Sequence, residues 1–340
     1  MSHSVSLSCQ REFLIQQAHQ DDIHGLTQIS PERFVSGSKD GSIRIWTTRG
    51  VSETLLTRQR IDYTQWITAL SASVHPDYFL SGTRDGKLEL RDYQGKILVG
   101  LQHKSAQNVE GCKERNQNRI SCITPIEERG VFIGTSGHFT HYDLEKGELL
   151  SQCMTSERDW VYCIHPFSRD RVLAVTGTEL EMWECEHTRW RKMTVIQSQR
   201  EQVQKAAHRP FISAVTQLSS NPHHFGIAVF DGSIRVRDVA ERQEIIRYQE
   251  HIGRTWAVAN ISLAVIASCA DDATVKFWDL RRPRSIFTLA EFPGRVSCLL
   301  SLGEQKLITA SCPNNPRTSL TKAELAFWDL RFTRRRSPLE

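Results

Sequence analysis

Apolar and polar residues alternate in short runs along this chain, and the runs return at regular intervals. Ile43 and Ile45, Leu88 and Leu90, Ile234 and Val236, and Val275 and Phe277 are each separated by a polar residue. That period of two is the signature of strands with one buried face. Asp40-Gly41, Asp85-Gly86 and Asp231-Gly232 are tight-turn dipeptides placed to join two such strands. Helical periodicity is scarce. The best helical candidate, 199–207, is polar and charged and reads as a loop insertion. The pattern predicts an all-β chain of hairpins.

The hairpins belong to a longer repeat. One unit starts at His19 and reads Phe34-Val35-Ser36-Gly37-Ser38-Lys39-Asp40-Gly41-Ser42-Ile43-Arg44-Ile45-Trp46. A second starts at His251 and ends Ile266-Ala267-Ser268-Cys269-Ala270-Asp271-Asp272-Ala273-Thr274-Val275-Lys276-Phe277-Trp278-Asp279. In both, Ser precedes Asp by four positions and Asp precedes Trp by six. Ser81, Asp85 and Arg91 keep the same spacing, as do Asp231 and Arg237, with His208 upstream of the latter pair. Tyr142-Asp143, Trp183-Glu184 and Trp328-Asp329 close three further copies. The closing positions 46, 91, 142, 183, 237, 278 and 328 define seven units with gaps of 41 to 54 residues. A period of this length points to a stack of small sheets rather than one large core.

With these residues the chain resembles the WD40-repeat family of β-propellers over 12–331. The resemblance implies seven four-stranded antiparallel blades. It also implies that Glu12-Phe13-Leu14-Ile15-Gln16 supplies the outer strand missing beside Ala326–Leu330. Residues 1–11 then form an N-terminal extension and 332–340 a basic tail. The family's structural hydrogen-bonded tetrad maps onto His19, Ser36, Asp40 and Trp46, and again onto His251, Ser268, Asp272 and Trp278. Tyr63 takes the His place in the second unit and Asn315 the Asp place in the seventh. A Ser/His/Asp set also invites a catalytic-triad reading. Recurrence with a Trp at fixed spacing favours the structural role.

Two positions per unit ring the channel mouth on the top face of propellers of this family. The residue before each innermost strand is Asp22, Trp66, Arg119, Trp160, Phe211, Arg254 or Arg295. The residue before the tetrad Asp is Lys39, Arg84, Phe230 or Asp271. Trp, Phe and Arg dominate binding hot spots, and five cations against two carboxylates favour an acidic or phosphorylated protein segment. Trp256, one position later in its unit, reads as an interblade packer. Trp278-Asp279-Leu280-Arg281 and Trp328-Asp329-Leu330-Arg331 resemble the WD-x-Arg box of substrate receptors in cullin-RING ubiquitin ligases, whose Arg contacts an adaptor from the bottom face. That assigns Arg281 and Arg331 to a possible adaptor site.

Composition narrows the classes. The 340 residues are 39% apolar and 24% charged, enough to build several small cores. A net charge of +4 from 43 basic and 39 acidic residues does not demand nucleic acid. The stretch 257–270 is too short to cross a bilayer as a helix, and 1–10 lacks the features of a secretory signal. Nine Cys without a Cys-x-x-Cys pair support neither a disulfide framework nor a zinc ribbon. His138 and His141, and His223-His224, lack zinc-site spacing. No metal and no cofactor are expected. The tail Arg334-Arg335-Arg336-Ser337-Pro338 reads as solvated, with nuclear entry or phosphorylation as its other readings, and 313–322 as a surface loop. The expectation is a non-catalytic, protein-binding scaffold of the cytoplasm or nucleus. The rivals are a ligase substrate receptor, a hydrolase using His19, His24, Asp159 or His165, and a nucleic-acid binder.

Overall fold

The computed structural model describes residues 4–50, 52–56, 65–104, 118–126, 129–155, 160–168, 170–177, 179–186, 189–198, 211–303, 305–313 and 322–335. Tyr63, Asp159, His208, Asn315, the 199–207 insertion, most of the 313–322 loop and the end of the tail lie outside them. The strand β1 (Ser4–His19) opens the chain. Two compact units follow from the contacts: residues 21–212, and residues 213–340 together with 1–20.

The first unit holds four blades in sequence. They are β2 (Ile23–Ser30) to β5 (Ser52–Leu56), β6 (Ile67–Ala72) to β9 (Ile97–Gln102), β10 (Cys122–Ile126) to β13 (Glu148–Met154), and β14 (Cys163–Ser168) to β17 (Arg189–Ser198). The second unit holds β18 (Ile212–Gln217) to β21 (Gln243–Gln249), β22 (Thr255–Asn260) to β25 (Ser285–Leu289), and a last blade of β26 (Val296–Ser301), β27 (Lys306–Ser311) and β28 (Ala323–Arg335). β1 is the fourth strand of that last blade. Among the described residues there are thus seven four-stranded antiparallel sheets, the blades of a seven-bladed β-propeller.

The pairing that completes the last blade is long. Phe13 lies opposite Phe327 and Ile15 opposite Leu325, and the two Phe rings stack at 4.0 Å. Pairing continues to Ser4 opposite Arg335, whereas β27 covers β28 only from Glu324 to Asp329. The strand pair therefore runs on past the sheet as a two-stranded extension, anchored by buried Leu7 and Leu330.

The cores lie between blades. Val35, Ile45, Ile67 and Phe79 fill one layer, Leu80, Leu88, Ile120 and Ile133 the next, and Phe132, Phe139, Ile164 and Trp183 a third. In the other unit Tyr248, Ile266 and Trp278 form one layer and Val265, Phe277, Val296 and Trp328 another. Each such large side chain contributes roughly 1.5–3 kcal/mol by leaving water. Polar ties cross the same gaps. The hydroxyls of Thr68, Ser121 and Ser213 donate to the carbonyls of Ile120, Val161 and Thr255 of the next blade at 2.6, 2.5 and 2.6 Å.

Candidate functional site

The polar centre of a blade is best seen around His251. Its Nδ1 lies 2.9 Å from Asp272 Oδ2 and its Nε2 2.8 Å from Ser268 Oγ, which also accepts the Trp278 Nε1–H at 2.8 Å. Burial alone would raise the Asp272 carboxyl, but hydrogen bonds from His251, Thr274 and the Ile252 N–H bring it down to about 2. In the first blade Trp46 Nε1–H donates to Ser36 Oγ at 2.7 Å, and Asp40 accepts from the Ser42 N–H and hydroxyl. His19 is fully buried.

The incomplete units are satisfied differently. Arg91, in the Trp place, donates to Glu89 at 2.5 Å, and Trp183 Nε1–H donates to Glu181 at 3.0 Å. Tyr142 shares a hydrogen bond with His103 Nδ1 at 2.9 Å, and Trp328 donates to Thr309 at 3.0 Å. Arg235 reaches Asp231 at 2.9 Å. Sequence reasoning passed over these partners. A signal was present for three of them, because Glu89, Glu181 and Arg235 each stand two positions before the closing residue of their unit.

In three blades the two candidate binding positions meet at the end where the innermost strand begins, here termed the upper end. A backbone hydrogen bond joins them in three blades: Lys39 N–H to Asp22 O at 3.0 Å, Arg84 N–H to Trp66 O at 3.1 Å, and Asp271 N–H to Arg254 O at 2.9 Å. Their side chains therefore leave from adjacent points.

In the four-blade unit this builds a row of cations on aromatic faces. Lys39 Nζ lies 5.4 Å and the Arg84 guanidinium 4.5 Å from the centre of the half-buried Trp66 ring. Arg119 lies 5.3 Å from the Trp160 ring. Such contacts are worth about 0.5–1 kcal/mol each at exposed sites. Lys39 is also paired with the buried Asp22 carboxylate at 2.6 Å, so this cation is already neutralised. Phe211 is half-buried just before β18.

The three-blade unit carries its own cluster. Arg254 lies over Phe230 at 5.4 Å and Arg295 over Trp256 at 5.8 Å. The Phe230 and Trp256 rings meet edge to face at 5.2 Å, and Trp256 Nε1–H donates to Asp271 at 2.7 Å. Trp256 thus packs between blades and also forms part of this upper surface. In the same unit Ile252, whose N–H donates to Asp272, is 81% exposed, an apolar residue the sequence pattern did not single out.

At the opposite, lower end, Arg281 donates from Nε and an NH2 group to the two oxygens of Asp279, both at 2.7 Å. Asp279 is buried while half of the Arg281 side chain is exposed, and the bidentate pair raises the Arg281 pKa. Arg331 pairs in the same way, through Nε alone, with Asp329 at 2.9 Å.

Comparison with known proteins agrees with this geometry. The family described as WD domain, G-beta repeat matches residues 8–47 and 244–279, the two units with complete tetrads. The chain is a WD40-repeat β-propeller. This WD40 propeller is similar to three proteins of Arabidopsis thaliana. Protein SPA1-RELATED 4 is 26% identical over 177 residues, 47% of this chain and 21% of that protein. Protein SPA1-RELATED 3 is 28% identical over 156 residues, 43% of this chain and 17% of the relative. E3 ubiquitin-protein ligase COP1 is 29% identical over 92 residues, 26% and 14%. The matched part of the WD40 propeller spans about a fifth or less of these relatives. A WD40 propeller is in general a scaffold for protein interactions.

Proposed function

We propose that this propeller is a non-catalytic scaffold that binds acidic or phosphorylated protein segments at the upper ends of its blades. The observation that carries the reading is the placing of guanidiniums on indoles, Arg84 on Trp66 and Arg119 on Trp160. Rigid aromatic surface supplies contact area. A guanidinium fork matches the geometry of carboxylate and phosphate oxygens. The test is a pull-down of natural partners with three variants side by side. Trp160→Ala and Arg254→Ala should each weaken binding by roughly 1–3 kcal/mol, the usual hot-spot loss, with Arg281→Ala without effect. Retention of every partner by the first two and loss in the third moves the site to the lower end.

That outcome would favour a second reading, a ligase substrate receptor. Its support is the Arg281 fork, held by a buried Asp279 and half exposed, together with the likeness to COP1. A hydrolase reading has less support. Ser268, His251 and Asp272 do have the distances of a triad, but Ser268 is fully buried and its Oγ already accepts from Trp278. A nucleophile must be reached by its substrate.

A further inference from the structure

The lower ends of the second and third blades enclose a cavity of about 320 Å³, within the range of ligand pockets. Its walls are apolar. Leu90 and Val99 stand opposite each other on β8 and β9, and Leu144, just after β12, closes the side of the third blade. Tyr78 and His75, at the turn from β6 to β7, enter from the second blade with their rings edge to face at 6.2 Å. Apolar surface continues outward from there. Val74 is exposed on the same turn, and the exposed Leu149 pairs with Tyr142, which packs on the core between these two blades.

We infer that this cavity receives one large uncharged apolar side chain, such as Leu, from a segment of a partner protein. Charge decides the kind of side chain. Arg129 and Glu145 carry the lining's two opposite charges and are already paired with each other at 2.7 Å, so the lining has no net charge. A charged side chain would lose its hydration against Leu90, Val99 and Leu144 without gaining a counter-ion. The remaining polar groups decide the kind of ligand. Among the described residues neither the Tyr78 hydroxyl nor the His75 ring makes a hydrogen bond. Each can donate and accept, which suits the N–H and C=O groups of a peptide on either side of its anchored residue. The site is separate from the upper ends and stands or falls independently of the reading given for them.

The experiment uses the purified full chain and three immobilised degenerate peptide libraries, with Leu, Ala or Asp fixed at the centre and uncharged residues around it. Retention on the Leu library should exceed that on the Ala library about tenfold, the effect of burying a Leu side chain. Val99→Asp should abolish this preference by placing a charge in the wall. Tyr78→Phe, which keeps the ring and removes the hydroxyl, should weaken retention on the Leu library about fivefold. Ile245→Asp, on the exposed outer strand β21 of another blade, should keep the preference. As a measure independent of any substitution, the free Leu-centred pool should slow amide hydrogen exchange in residues 73–78 and 144–148. Equal retention on the Leu and Ala libraries overturns the site, as does a Leu preference that survives in Val99→Asp. If Val99→Asp does not fold, the exchange measurement decides, and slowing absent from both segments overturns the site. Retention on the Asp library alone also overturns it and leaves the acidic-segment reading of the upper ends standing.

Discussion

His103 shows how much a single buried group can govern. It is 2% exposed, bonded to Tyr142 through Nδ1, and its ring centre lies 5.7 Å from that of His138. Burial first, and then the neighbouring His138, push its pKa down to about 4. An unfolded His titrates near 6.5, so between those values the unfolded chain binds more protons and stability falls as pH drops. The contribution is complete above about pH 6.5 and lost by about pH 4, on the order of 3 kcal/mol. The melting temperature measured from pH 7 to pH 4 should fall in that window, and His103→Phe should flatten the fall. An equally steep fall in the variant would place the sensitivity elsewhere. His103 was not legible in the sequence as a partner, because the residue it bonds lies 39 positions away and stands where a Trp was sought. The pairing of Lys39 was hidden for a similar reason. Counted by type it is a separate cation for an acidic ligand, but the fold returns Asp22 to within 2.6 Å and spends the two charges on each other, with the net balance of the positions unchanged.

Among the elements, the second strands of the first two blades have a strict demand for size. A Cβ on Gly37 would come within 2.5 Å of Ile67 Cγ2, and one on Gly82 within 2.7 Å of Ile120 Cγ2. The Ser-Gly pairs of β3 and β7 therefore mark where the next blade's innermost strand presses closest. Gly82→Ala must push β10 away or deform it, and overpacking of this kind costs about 1–3 kcal/mol. Chemical denaturation should show the loss. An unchanged midpoint would mean that β10 yields without penalty. The strands themselves were readable from alternation and from the Asp-Gly turns, whose glycines 41, 86 and 232 have φ between 75° and 88°. The tetrads were readable only where all four members survive. Elsewhere the closing residue is satisfied by its own strand, by the strand beside it or by a distant His, and a spacing rule built on the complete units does not reach those partners.

On the scale of the whole molecule, the last blade carries a seam, because it pairs a strand from near each end of the sequence. Removal of residues 1–16 would take Phe13 from Phe327 and leave β28 with a row of unpaired backbone groups. Exposed strand edges recruit other chains. The truncated protein should lose thermal stability and elute as concentration-dependent assemblies in size-exclusion chromatography. A monomer of unchanged melting temperature would show that the seam is held by the other three strands. The pairing of β1 with β28 also imposes an order in time. His19 and its partner Ala323 are separated by more than 300 residues, which a ribosome adds in about 15–60 s at ordinary elongation rates. Throughout that interval β1 lacks the strand it pairs with, so the nascent chain carries an adhesive ribbon that must be shielded until its counterpart is translated.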